Sequence, residues 1–253
     1  MFGWFKRRRR RRILQQPWSD RWTAILHHNV RLTRGLDDDE WLRLRERTKI
    51  FVAEKNWEGI RGYQVTEEMK VTIAGGASLM LLGVEGFYFD NVQTVLIQPR
   101  GFRGRSSDGL VVDEDAPRAG EAWLGGPIIL SWPDVIWTGR NDDDACNLVI
   151  HEFAHALDGL DGSMGGNLLF DNAQTSARWE SVLKTEFQAL CEAKYRGDMS
   201  LLDYYGTVNE AEFFAVASET FFEQPRLLSQ WHPELSELLR EYYKLDPSRW
   251  QRN

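Results

Sequence analysis

The sequence predicts an α+β fold, mainly helical with a small sheet. Apolar residues recur at three- and four-residue steps in at least six separate segments, as they do on helices with one buried face. Two short runs, each bounded by Pro or Gly, have the apolar character of strands. Strands and helices do not alternate, which argues against a repeated βαβ arrangement. With 253 residues, 42% of them hydrophobic, the chain can bury an extensive core. One globular domain over residues 17–253 accommodates it.

Residues 1–16 stand apart as a basic segment. Lys6 and Arg7 to Arg12 supply seven of the 31 basic residues, with no acid among them. A block of like charges repels itself, so this stretch is expected to be solvated and disordered, or to attach loosely to anionic lipid or nucleic acid. The rest of the chain holds 24 basic against 38 acidic residues, a net charge of −14 within an overall −7. A body of that sign repels phosphates, which argues against direct nucleic-acid binding by the folded domain.

Helix-like patterning begins at residues 19–33 and continues at 37–56, where Asp37 to Asp39 open the segment and Trp41, Leu44, Thr48, Phe51 and Val52 form a stripe. Residues 66–82 start at Thr66 and should form a mostly buried helix through Met69, Ile73, Ala77, Met80 and Leu81. Residues 94–98 and 127–132 are the two strand candidates, and the glycine-rich stretch 101–125 between them reads as a long loop or hairpin. Helices are expected at 142–158, with Asp142 to Asp144 as cap, then at 175–195, 209–224 and 233–245. No run is long and apolar enough for a spanning helix, and none resembles a secretory signal. A cytoplasmic protein is expected. Cys146 and Cys191 show no paired spacing, so reduced, buried thiols are expected.

His151-Glu152-Phe153-Ala154-His155 matches H-E-x-x-H, the zincin pattern. Two histidines four apart project from one face of a helix, at a separation one metal ion can bridge, and the intervening Glu can act as base toward a water on the open side. With five His and 38 acids in the chain, random placement expects no more than about 0.015 such patterns. A catalytic zinc also needs a third protein ligand. Glu210, Glu212 and Glu219 lie on the helix of residues 209–224, and Asp158 and Asp161 lie nearer. Asp158 is short and better suited to a hydrogen bond within the site or to a following loop. Glu212 and Glu219 share one face at a seven-residue step, and spacing leaves both open. Asn147, one turn before His151, could orient a group of the site. His27, His28 and His232 have no acid or His at ligand spacing.

Beyond the motif, residues 126–132 (Gly-Pro-Ile-Ile-Leu-Ser-Trp), 151–158 and 205–215 together resemble the Mlc titration factor A family of bacterial zinc peptidases. The C-terminal half also resembles the catalytic domain of anthrax lethal factor. The likeness runs from Pro17 to the end and departs at the arginine-rich start. It implies a zincin-like metallopeptidase domain with the sheet beside the H-E-x-x-H helix, and zinc held by His151, His155 and Glu212. It also implies Glu152 as general base, and Tyr205 as the residue matching a tyrosine near the metal. Peptide or protein substrates, aminopeptidase activity, and binding of a transcriptional repressor resembling Mlc, which governs the sugar phosphotransferase system, are further implications. Such repressor titration need not require hydrolysis. An extended substrate could add to the strand at residues 127–132.

Overall fold

The computed structural model describes residues 2–99, 105–106, 109–110, 126–141 and 145–251. Helices dominate, as the sequence predicts, around a small three-stranded sheet. The expected loop at 101–125, with Trp123, lies outside the described residues apart from a short antiparallel pair, β3 (Arg105–Ser106) and β4 (Gly109–Leu110). The expected capping acids Asp142 to Asp144 lie outside them as well.

Phe2–Gln15 forms a helix, α1, where a disordered stretch is expected. Its inward side finds counter-charges that a count of its own residues does not reveal. The Arg10 guanidinium bridges Glu54 at 2.6 Å and Asp90 at 2.6 Å and lies 4.1 Å from the centre of the Tyr88 ring. Lys6 reaches Asp90 at 2.8 Å, Arg9 donates to the Ala53 carbonyl at 3.1 Å, and Lys49 donates to the Leu14 carbonyl at 2.8 Å.

After α2 (Asp20–Asn29) and a 3-10 turn (Arg31–Gly35), α3 (Asp38–Glu54) begins with a reciprocal cap: Asp37 accepts from the Glu40 amide and Glu40 accepts from the Asp37 amide. Leu44, Thr48 and Phe51 of the expected stripe are buried, while Trp41 and Val52 are half-buried. Next comes α4 (Glu67–Leu79), capped by Thr66 and buried from Val71 to its end. At Gly76 of α4 a Cβ would stand 2.9 Å from the Val149 side chain, so glycine permits the close approach of the helix that carries the two histidines.

The sheet has the order β1 (Asn56–Gly59), β2 (Thr94–Gln98), β5 (Ile128–Ser131), and every pairing is parallel. Parallel neighbours require a crossover connection, and α4 lies in the one between β1 and β2. The helical pattern expected over residues 37–56 ends at Glu54, and Asn56 opens β1. Sequence patterning hides this strand because Asn-Trp-Glu-Gly contains no β-branched residue. Val95, Ile97 and Leu130 are fully buried and seat the sheet on the core.

The remaining helices are α5 (Trp132–Arg140), α6 (Leu148–Asp158), α7 (Ala173–Arg196), α8 (Glu210–Glu223), α9 (Pro225–Trp231) and α10 (Pro233–Tyr243). Sequence periodicity missed α1, α5 and α9. Both α5 and α9 are short and begin at or beside a proline, a residue well suited to a first helical turn. Every residue of α8 from Ala211 to Glu223 is buried. This helix is the axis on which α6, α7, α9 and α10 pack.

Replacing Arg10 by Ala should release α1 from α3, raising amide hydrogen exchange across residues 2–15 while leaving α6 and α8 protected. Loss of these charge-assisted bonds is worth about 1–3 kcal/mol of docking. Unchanged protection of α1 would show that other contacts hold it.

Candidate metal centre

The site forms where α6 crosses α8. The start of α6 is set by Asn147, whose side-chain oxygen accepts from the Ile150 amide at 3.2 Å. From that start, the four-residue step places His151 and His155 on one face, ring centroids 4.9 Å apart and nearly perpendicular. The start of α8 is set in the same way by Asn209, which accepts from the Glu212 amide at 2.9 Å. Glu212 therefore sits in the first helical turn, where the backbone dipole favours a negative charge.

His151, His155 and Glu212 come together. Glu212 Oε2 lies 3.0 Å from His151 Nε2 and 3.3 Å from His155 Nε2. One donor atom from each of the three residues falls within a set no wider than 4.8 Å. All three residues are buried. Neither ring nitrogen of His155 makes an aligned hydrogen bond among the described residues.

The two acids that spacing left open take different places. Glu212 faces both histidines. Glu219 lies one heptad further along α8 and binds the far nitrogen of His151, with Oε1 2.8 Å from Nδ1. Its other oxygen accepts from the backbone amide of Asn147. This is the arrangement in which a carboxylate orients a metal-binding imidazole and fixes its tautomer. Glu210 is half-buried at the start of α8, and Asp161 is exposed.

One turn beyond Glu219 lies Glu223, a residue the sequence analysis did not single out. Its carboxylate accepts from Asn147 Nδ2 at 2.7 Å and pairs with Arg31. Asn147 thus both caps α6 and ties it to Glu223. Burial pushes the Glu223 carboxyl up to about 7, against the pull of Arg31 and Asn147. Burial alone would lower the pKa of His151, but the charge of Glu219 and the hydrogen bonds of Glu212 and Glu219 hold it well above the ordinary value. Burial opposes ionisation of Glu212, and its two histidine partners overcome this to bring it down to about 2.

A metal ion fits this donor set. The buried residues present two imidazole nitrogens and one carboxylate oxygen converging on one spot, the combination suited to zinc in a catalytic centre with a position left open. Three carboxylates are buried on α8 beside the two histidines, and a dication would supply positive charge that the side chains otherwise obtain by retaining protons.

Glu152 lies one step round α6 and keeps part of its surface open. Burial raises its pKa, while His151 and His155 draw it down. The Tyr205 ring, on a 3-10 turn (Tyr204–Thr207), is centred 5.8 Å from that of His151. Asp158 closes α6 with both carboxylate oxygens buried and, among the described residues, without an aligned hydrogen bond. Burial pushes it up to about 6, although the backbone of Gly166 and Gly165 pulls the other way. His27 packs on Trp41 and His232 pairs with Glu186, both away from the cluster. Cys146 is buried and Cys191 half-buried, both as free thiols.

The model of a family described as glucose-regulated metallo-peptidase M90 matches residues 4–244. An uncharacterized protein of Synechocystis is 34% identical over 244 residues, covering 94% of this chain and 89% of that protein. Mlc titration factor A of Cronobacter sakazakii is 29% identical over 248 residues, covering 93% of each chain. Mlc titration factor A of Salmonella gallinarum is 30% identical over 240 residues, covering 92% of this chain and 87% of the relative. The likeness therefore begins within α1 and not at Pro17.

Elemental analysis should find metal in the purified protein, lost in Glu212→Ala and retained with an affinity about 10–100-fold weaker in Glu219→Ala. The reverse ranking would exchange the roles of the two acids. For Asp158, a folded-state pKa near 6 against an ordinary 3.8 means that the carboxyl favours folding at acid pH and loses that contribution as pH rises through about 6. Asp158→Asn should therefore be more stable than the wild type at pH 8, by about 3 kcal/mol, and unfold at higher temperature there, with no advantage near pH 4. Equal shifts at both pH values would exclude a buried charge as the cause.

Proposed function

Because this chain belongs to the glucose-regulated metallo-peptidase M90 family, we propose that it is a zinc-dependent peptidase of zincin-like fold, with residues 17–253 as its catalytic domain. One observation carries the reading: two imidazoles and a carboxylate converge in a buried cluster, and Glu152 stands beside it with a partly open surface. His151, His155 and Glu212 would hold the ion, and Glu219 orients the His151 ring. Zinc bound there would supply Lewis-acid chemistry to the site.

Glu152 takes the proton of an attacking water and passes it to the leaving amine. Burial raises its pKa, which suits it to return the proton. Tyr205 donates its hydroxyl to the oxyanion that develops on the carbonyl. Among the described strands, β5 has a neighbour on one side only. An extended peptide adds to its open edge, which lies at the start of α5 and packs near α6.

We assign aminopeptidase action on peptides as the activity, a regulatory role in the cytoplasm, and a repressor resembling Mlc as protein partner. The name shared by the Cronobacter and Salmonella relatives supports that partner. Repressor binding is also the second reading, independent of catalysis, and the same name favours it.

Glu152→Gln should lower kcat on short peptides by about 10²–10⁴-fold while metal content stays at the wild-type level. Tyr205→Phe should lower kcat with little change in KM. A Glu152→Gln protein that cleaves as fast as wild type would end the peptidase mechanism. Loss of cleavage with retained repressor binding would assign the two roles separately.

A further inference from the structure

The arginine run forms a helix with two different sides. The contacts of Lys6, Arg10 and Leu14 with Asp90, Glu54 and Lys49 define the side of α1 that faces the body. Ile13 is half-buried on that same side. Helical periodicity places Trp4, Phe5, Arg8, Arg11 and Arg12 opposite them. All five are exposed, Trp4 by 59% and Phe5 by 58%.

Trp4 and Phe5 meet edge to face at 5.0 Å, and the Arg8 guanidinium lies 5.5 Å from the Trp4 ring. Two large aromatics on a face otherwise made of arginines are costly to leave in water. We propose that this face of α1 docks the protein on an anionic lipid bilayer, with Trp4 and Phe5 entering the interface and Arg8, Arg11 and Arg12 meeting the headgroup charge.

Interfacial aromatics combined with cations on one helix face are what such a surface rewards. Each cation near an anionic leaflet strengthens binding, and the effect dies away within a Debye length. The arginines alone would also suit the phosphates of a nucleic acid. Two features favour the bilayer. A planar surface touches only the outward face of α1, whereas a polyanion in solution also meets a body whose net charge is −14 from 24 basic and 38 acidic residues. The aromatic pair is also closed edge to face into one apolar wedge, not spread as separate platforms for bases. The ion pairs of Arg10 hold that face outward, which a disordered tail could not do.

The test is co-sedimentation of the full chain with vesicles of mixed phosphatidylcholine and phosphatidylserine, alongside vesicles of phosphatidylcholine alone. The wild type should bind the mixed vesicles, bind phosphatidylcholine alone weakly, and release as salt is raised. Charge reversal of the three arginines (Arg8→Glu, Arg11→Glu, Arg12→Glu) should lower partitioning at least about tenfold. Trp4→Ala with Phe5→Ala should remove the part of binding that survives high salt. Both variants spare Lys6, Arg10, Ile13 and Leu14, and hydrogen exchange of α1 should show that it remains docked. No binding of the wild type, equal binding to both vesicle types, or wild-type partitioning by either variant overturns the proposal. Tighter binding to a short duplex DNA or single-stranded RNA than to the mixed vesicles, at the same salt, overturns it in favour of a polyanion.

Discussion

Three carboxylates buried on one helix are the constraint around which this molecule is organised. Glu212, Glu219 and Glu223 follow one another at seven and four residues along α8, a helix covered on every side. Buried charges of one sign are tolerated only when partners are brought to them. Glu212 receives His151 and His155, Glu219 receives the other nitrogen of His151 and the Asn147 amide, and Glu223 receives Asn147 and Arg31. The position of α6, its capping residue and the turn after α2 are all answers to the same electrostatic demand.

That demand explains how one short motif acquires a defined geometry. A histidine pair on an isolated helix would be free to rotate about its side-chain bonds. Here Glu219 takes Nδ1 of His151 and thereby points Nε2 toward Glu212. Gly76 lets α4 press against Val149 at the opposite side of α6. The helix that carries the histidines is therefore held between an apolar contact behind it and a polar seam in front.

The helices with long apolar stripes were legible in the sequence, and so were their caps where cap and stripe are adjacent. Asp37 before α3, Thr66 before α4 and Asn209 before α8 all stand within a residue of the expected starts. Elements whose reason lies elsewhere in the chain were not legible. The Arg31–Glu223 pair joins residues 192 apart, and nothing local announces it. Likewise α1 is a run of arginines until Glu54 and Asp90 are placed against it. In the candidate site, the pattern His151 to His155 can be read directly, whereas the division between Glu212 and Glu219 cannot. Both lie on the face of α8 toward α6, and which nitrogen of His151 each meets depends on how the two helices cross.

His151 and Glu212 are 61 residues apart, with the whole of α7 between them. Neither can find the other until the chain has made that excursion and returned. The entropy of closing so long a loop is recovered only on docking. The centre is thus a joint between two helices, each with its own N-terminus secured, α6 through Asn147 and α8 through Asn209. An ion held there would act mechanically as a rivet, cross-linking parts of the chain 61 residues apart where α6 crosses α8.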